Sequence, residues 1–379
     1  MTKPVPPLKA LDHILPRPPI LLMGAGPTPP TPEVERASAT VFSHLGTTMQ
    51  EIIKQLQSMA QYVFQTDSPY ILGIAGPASA AMEMSMASLV WPGRKVLVLN
   101  LGTFSARFAE IARGLGGEVT ELLPEPLDCF HVDQVQAELE KKSYDVLTIV
   151  HGETSCGIMN TECEEICRLA KSYGLMVAVD AVVTLSCLPI PMDEWQIDFM
   201  FTGGQKGLSA IPGVSLIALS PIAFEFVMKR TAPMPHWCLD VRRAWKFWGK
   251  GEYHYTAPVT GVLALYESLR LICEETLEKR FARHTQSTQL LQDGLLQLGL
   301  SLYAPESCRL PSVIAVRTPA GVEVKQLIAY MIEQHRVEMS GAFGLPIFRI
   351  GQMGEQAREH NVRRTLQGLE QSLNHFKQA

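Results

Sequence analysis

From residue 20 onward the chain alternates short apolar runs with longer amphipathic stretches. The runs at 20–23, 70–75, 95–100, 145–150, 177–179 and 198–202 are bounded by polar or turn-forming residues, which is the pattern of buried strands. Between them, residues 47–65 put Ile52, Ile53, Leu56, Met59, Ala60 and Val63 on one stripe at helical spacing. The segment LGTFSARFAEIARGLGG after residue 100 predicts another helix. Farther on, helices over 259–273 (a bridge between two domains), 274–298 and 323–335, strands at 312–316 and 348–350, and a last helix ending near residue 376 predict an α+β unit at the C-terminal end. Residues 1–19 are Pro-rich and predict an extended arm. Residues 229–256, with three tryptophans among basic residues, predict an irregular segment.

Two charges interrupt this apolar pattern. Lys206 is the only charged residue between 199 and 224, and Asp180 is the only one between Lys171 and Asp193. An ammonium flanked by apolar segments loses hydration, so it is either paired or shifted toward neutrality. The neutral amine is the form that Schiff-base chemistry needs. Gly203, Gly204 and Gly207 also allow the lysine to sit on an exposed turn. Asp180, however, ends the run 177–179, and open α/β sheets place their ligands at the carboxyl ends of their strands. A lysine and an aspartate at neighbouring strand ends suggest a cofactor bound covalently to the one, with a ring nitrogen kept protonated by the other.

Further candidates lie along the chain. Gly24-x-Gly26 is followed by Pro27, Pro29, Pro30 and Pro32, which excludes a dinucleotide-binding helix. GPASAAMEM enters a helix with small residues, suited either to a phosphate at the helix N-terminus or to an ordinary Ser79 cap. In HGETSCGIMN, His151 and Glu153 could form an acid–base pair, although a lysine can move the proton itself. Arg349 stands inside an apolar strand, where its fork suits a bidentate carboxylate; the alternative is an ion pair to a residue such as Glu355.

The stretch VAVDAVVTLSCLPIPMDEWQIDFMFTGGQKGLSAIPGVSLIALS resembles the core of the class V (fold type I) pyridoxal-phosphate aminotransferases. Within that family it is most similar to the branch of alanine–glyoxylate, serine–pyruvate and pyridoxamine–pyruvate aminotransferases. The similarity runs from AGPT at residue 25 to FRIGQMG at residue 348. It implies a large α/β cofactor domain with a mostly parallel sheet (20–270), a smaller α+β domain (271–379) and the arm (1–19) crossing onto a partner subunit. It also implies pyridoxal 5'-phosphate on Lys206, with Asp180 at the ring nitrogen and Phe104 and Val182 on the ring faces. Thr154 and Ser155 would reach the phenolic oxygen. Ser79, the Ala80 amide, Gln205, and Tyr253 and Thr256 of a second copy would hold the phosphate. Arg349 would bind the substrate carboxylate, with Gly26 bordering its pocket.

Two departures stand out. Pro77 and Ala78 replace the family's serine and glycine in the phosphate loop, and SGAFGLPIF is shorter than the usual glycine-rich loop before Arg349. The expected reaction moves an amino group from alanine or serine to glyoxylate or pyruvate, in a homodimer with shared active sites. The alternatives are pyridoxamine–pyruvate transamination, a lyase or desulfurase reaction with Cys308 as the candidate nucleophile, and a silent relative acting as a binding protein.

Composition narrows the remaining classes. Of 379 residues, 46% are hydrophobic and 19% charged, which suits a large globular core in two domains. The net charge of −5 argues against nucleic acid as the main partner. No run reaches membrane-spanning length and the N-terminus does not read as a signal, so a cytoplasmic protein with reduced thiols is expected. The eight cysteines show no zinc spacing, and Cys163 and Cys167 lie one helical turn apart.

Overall fold

The computed structural model describes residues 3–378. After a 3-10 turn at Leu11–His13, the chain forms β1 (Leu21–Leu22), α1 (Pro32–Ser38), α2 (Thr47–Phe64), β2 (Ile71–Ala75), α3 (Ala78–Leu89), β3 (Lys95–Leu99), α4 (Thr103–Gly114), β4 (Glu118–Leu122), α5 (Val132–Lys141) and β5 (Val146–Val150). A short hairpin, β6 (Gly152–Glu153) with β7 (Ile158–Met159), leads to α6 (Cys163–Ser172), β8 (Met176–Asp180), β9 (Phe199–Gly203), β10 (Val214–Leu219), α7 (Pro221–Lys229) and α8 (Val241–Lys250). Then come α9 (Val259–Glu275), α10 (Leu277–Gln297), β11 (Val313–Arg317), α11 (Val324–Tyr330), β12 (Val337–Glu338), β13 (Ser340–Gly341), β14 (Ile347–Gly351) and α12 (Glu359–Gln378).

Seven strands make one sheet in the order β2-β10-β9-β8-β5-β3-β4. Neighbours are parallel except around β10, which runs antiparallel to both β9 and β2. The central strands β5, β8 and β9 are almost wholly buried, as expected where helices cover both faces of a sheet. This matches the α/β, mostly parallel arrangement expected from the sequence. A second sheet, β11-β14-β13, carries its own core with α10, α11 and α12 around Phe348, Ile350, Leu291 and Leu369. Strand β1 pairs in parallel with β12, so Met23 joins that second core.

Three sequence expectations change. Residues 229–256 are not irregular throughout, because Asp240 caps α8 by accepting from the Arg242 amide at 2.9 Å, and Val241, Ala244, Phe247 and Trp248 form its buried stripe. The helix expected from residue 274 begins at Leu277, since Thr276 adopts φ +67° and separates α9 from α10. The helix expected over 323–335 ends as α-helix at Tyr330 and finishes in a π turn, Met331–His335. Among the described residues, no helix is long and apolar enough to cross a membrane.

Candidate active site

Parallel pairing of β8 and β9 brings Asp180 level with Phe201, and Lys206 follows β9 after a short turn. Both side chains line a cavity of about 190 Å³ together with Ser79, Phe104, Thr154, Val182 and Gln205. Asp180 is buried and accepts one N–H, from Val182 at 2.8 Å. Burial pushes its carboxyl up to about 7, against the pull of that N–H. Burial likewise pushes the Lys206 ammonium down to about 8; repulsion from Arg349 adds to this and attraction to Asp180 opposes it. The two groups do not bond to each other, since Lys206 Nζ donates to the Ala25 carbonyl. Gly26, at φ +102°, leaves room for the lysine; a Cβ there would collide with Nζ. Thr28 fixes the same turn, its hydroxyl donating to the Gln205 and Lys206 carbonyls at 3.2 and 3.1 Å.

The loop after β5 separates candidates that the sequence left together. Glu153 is fully buried and accepts from the amides of Phe104 and Ser105, from the Ser105 hydroxyl, and from both amide and hydroxyl of Ser155. Its charge sits at the N-terminus of α4, which fixes Phe104 at the cavity wall. His151 bonds the Thr184 hydroxyl at 3.0 Å and packs edge-on against Trp195, and burial pushes its imidazolium down to about 4. Both residues are therefore structural in this geometry. Thr154 faces the cavity, but Ser155 does not line it: its hydroxyl donates to Glu153 at 2.6 Å and accepts from the Thr103 amide. The Ala80 amide is also spent, donating to the Pro77 carbonyl at 2.8 Å. The helix cap at α3 is Pro77 and makes no side-chain bond, so Ser79 is not the cap; its hydroxyl accepts from Arg107 Nη1 at 2.6 Å. Phe108 is core, as expected.

Arg349 lies on β14 with its guanidinium over Phe343, 5.3 Å from the ring centroid. Its Nε and Nη2 donate to the Gly341 carbonyl, and Nη1 donates to the Thr154 carbonyl at 2.8 Å. Of the five N–H groups of a guanidinium, two are left for a ligand. The ion pair to Glu355 does not form, because Glu355 pairs with Arg358 at 2.9 Å. Cys308 is buried, with a thiol pushed up by burial, and makes a poor mobile nucleophile. Tyr253 and Thr256 are exposed and do not line this chain's own cavity.

Arg107 is the residue that sequence reasoning missed. It lines the cavity one helical turn after Phe104, and the only signal was that i,i+3 spacing on α4. The lining is built for a ligand on an observation of its own: Gln205 Oε1, an acceptor, is buried with no hydrogen-bond donor to pair with. Phe104 and Val182 supply flat apolar walls, Ser79 and Arg107 supply donors, and Asp180 supplies a carboxyl for a cationic ring nitrogen.

A family model described as Aminotransferase class-V matches residues 32–349. The alanine–glyoxylate aminotransferase of Mus musculus is 34% identical over 381 residues, covering 98% of this chain and 92% of that one. The crystal structure of the alanine–glyoxylate aminotransferase of Nostoc sp. superposes with a TM-score of 0.92 at 32% identity, covering 98% of each chain. The pyridoxamine–pyruvate aminotransferase of Mesorhizobium loti shares the fold, at a TM-score of 0.90 and 24% identity over 98% of this chain and 95% of that one.

Proposed function

The chain belongs to the class-V aminotransferases, and from that premise we propose that it transfers the amino group of alanine or serine to glyoxylate or pyruvate, using pyridoxal 5'-phosphate on Lys206. One observation carries the reading: Asp180 and Lys206 share a cavity, both desolvated and neither neutralising the other. Paired with each other they would serve the fold; kept apart, they are available to a ligand.

When bound, pyridoxal 5'-phosphate supplies an electron-withdrawing ring that takes up the charge left at the substrate Cα. The chain's own residues do the rest. Lys206, pushed down to about 8, has a substantial neutral fraction at mildly alkaline pH, so its Nζ would hold the cofactor's aldehyde carbon and, once displaced, could take the proton from the substrate Cα. Asp180 would face the ring nitrogen and favour its protonated form. The two N–H groups left on Arg349 orient the α-carboxylate, which presents the Cα–H bond to the lysine. Thr154, Ser79 and Gln205 line the same cavity, which supports Thr154 at the phenolic oxygen and Ser79 and Gln205 at the phosphate. Exposure of Tyr253 and Thr256 supports their entry into a partner copy's site in a homodimer. The two cores support a cofactor domain and a small C-terminal domain, with Met23 packing into the second core and Leu277 into the first.

An absorbance titration tests the reading. The cofactor-loaded protein should show a visible band that moves to shorter wavelength on adding L-alanine or L-serine and returns on adding glyoxylate. A band moved by pyridoxamine and by no amino acid would make the free vitamer the substrate. A band that no amine moves would sink the transaminase assignment.

A further inference from the structure

We propose that Arg107 is the residue by which this site selects an anionic cofactor: with Ser79 it forms the subsite for the phosphate, supplying the donor that Pro77 and Ala78 do not. This rests on the reading of the cavity as a pyridoxal 5'-phosphate site. The N-terminus of α3 is a meagre anion cup in this chain. Its cap, Pro77, has neither N–H nor hydroxyl, Ala78 has no hydroxyl, and the Ala80 amide is bonded back to Pro77. What remains is the first-turn amides of Ala78 and Ser79 and the Ser79 hydroxyl. A dianion held by these alone would depend on two neutral amides, one hydroxyl and the helix dipole.

Arg107 changes that. It reaches from α4 to the Ser79 hydroxyl at 2.6 Å, lines the cavity, and has no carboxylate partner among the described residues. A guanidinium at a cavity wall that attracts Asp180 without forming an ion pair with it fits an anion with two or three oxygens in fork geometry. Its position also separates it from the substrate carboxylate. Arg107 lies over the Phe104 ring at 5.0 Å, Phe104 meets Phe343 edge-on at 6.0 Å, and Arg349 lies 5.3 Å from the Phe343 ring. Two arginines thus stand at opposite ends of a row of two aromatic rings. One end matches a carboxylate on the substrate, the other a phosphate on the cofactor.

The test compares vitamers rather than rates. Cofactor-free protein is titrated with pyridoxal 5'-phosphate and, separately, with pyridoxal, following the visible band and tryptophan quenching. The Arg107→Met variant should weaken the phosphorylated vitamer by about 10- to 100-fold, leave pyridoxal unchanged, and so collapse the preference between them. Arg107→Lys should restore part of it, as a point charge without the fork. Inorganic phosphate should compete with pyridoxal 5'-phosphate in the native protein and much less in Arg107→Met. Equal losses for both vitamers would assign Arg107 to the fold alone and overturn the proposal. An unchanged preference coupled to weaker binding of L-aspartate would place a second substrate carboxylate there, and would overturn it as well. If neither vitamer gives a band that depends on Lys206, the functional reading fails and this inference with it; a normal band with an unchanged preference removes this inference alone.

Discussion

Two regions of this molecule bury ionisable side chains, and they treat them in opposite ways. At the ends of β8 and β9, Asp180 is buried and Lys206 half-buried, both are left without a charged hydrogen-bond partner, and desolvation drives both toward neutrality. At the junction of α9 and α10, the buried charges are paired. Burial alone would raise the carboxyl of Glu275, but Arg283 and Arg280 overcome it and hold it down to about 2. Arg280 donates to Glu275 at 2.9 Å and to the Ser186 and Gly207 carbonyls at 3.1 and 2.8 Å. Arg283 and Arg358 complete the group. Gly207 follows Lys206 in the chain, so the satisfied cluster braces the turn that carries the unsatisfied one. A buried charge with its partners in place holds structure; a buried charge deprived of them keeps its interaction energy for something that binds.

The contrast predicts that the two regions fail differently. Lys206→Ala removes the covalent anchor and the proton carrier together, and the rate of amino transfer should fall by about 10⁴-fold or more. The unfolding midpoint of the cofactor-free variant should not drop, because the lysine was a desolvated group without a counter-ion. Steady-state kinetics and thermal unfolding of one preparation read both, and a lysine variant that keeps its rate would remove the basis of the comparison. In the other region the order reverses. Glu275→Gln leaves Arg280, which is almost fully buried, without its compensating charge, a change that costs about 3–5 kcal/mol when a buried pair is broken. Urea unfolding measures it, and a loss below about 1 kcal/mol would mean that the cluster is no tighter than a surface pair.

The same contrast explains what the sequence shows and what it hides. Asp180, Lys206 and Arg349 are legible because each is a lone charge in an apolar run, and a lone charge among buried strands is rare without a use. The strands that carry or lead into them are legible for the same reason: β8, β9 and β14 are apolar runs. Strand β4, EVTEL, is an edge strand with half-exposed polar residues, and no apolar run announces it. Helix α8 hides its stripe of Val241, Ala244, Phe247 and Trp248 among basic residues. Arg107 is hidden in the same way, as one more charge on an amphipathic helix whose aim is set by the packing of α4. Ser155 and Ala80 err in the other direction. Each has the right group at the right place in its motif, but Glu153 and Pro77, close in the chain, already use it. Spacing locates a donor; only the surrounding structure shows whether it is free.

Asp180→Asn sharpens the comparison, because the two regions should also differ in how stability follows pH. In the folded, cofactor-free protein Asp180 titrates at about 7, against 3.8 for an ordinary aspartate. Below about pH 4 both the folded and unfolded chains carry it protonated, and there is no penalty. Between these values the unfolded chain gives up its proton while the folded one keeps it, so stability falls as pH rises, and above about 7 the full cost of a buried carboxylate is present. Asparagine keeps the size and the Val182 contact site without the charge. The variant should therefore match the native protein near pH 4 and exceed it by about 2–4 kcal/mol near pH 8, on the scale of 1.36 kcal/mol for each pKa unit. Amino transfer should fall at the same time by about 10²- to 10⁴-fold, since an amide cannot keep a proton on the ring nitrogen. Urea unfolding of both cofactor-free proteins across this range gives the difference directly. Parallel pH curves would mean that Asp180 is ionised and satisfied in the empty site, and the distinction between its strand end and the Glu275 cluster would disappear. A crossing of the curves once the cofactor is added, with the native protein gaining more than the variant, would locate the missing partner of Asp180 on the ligand.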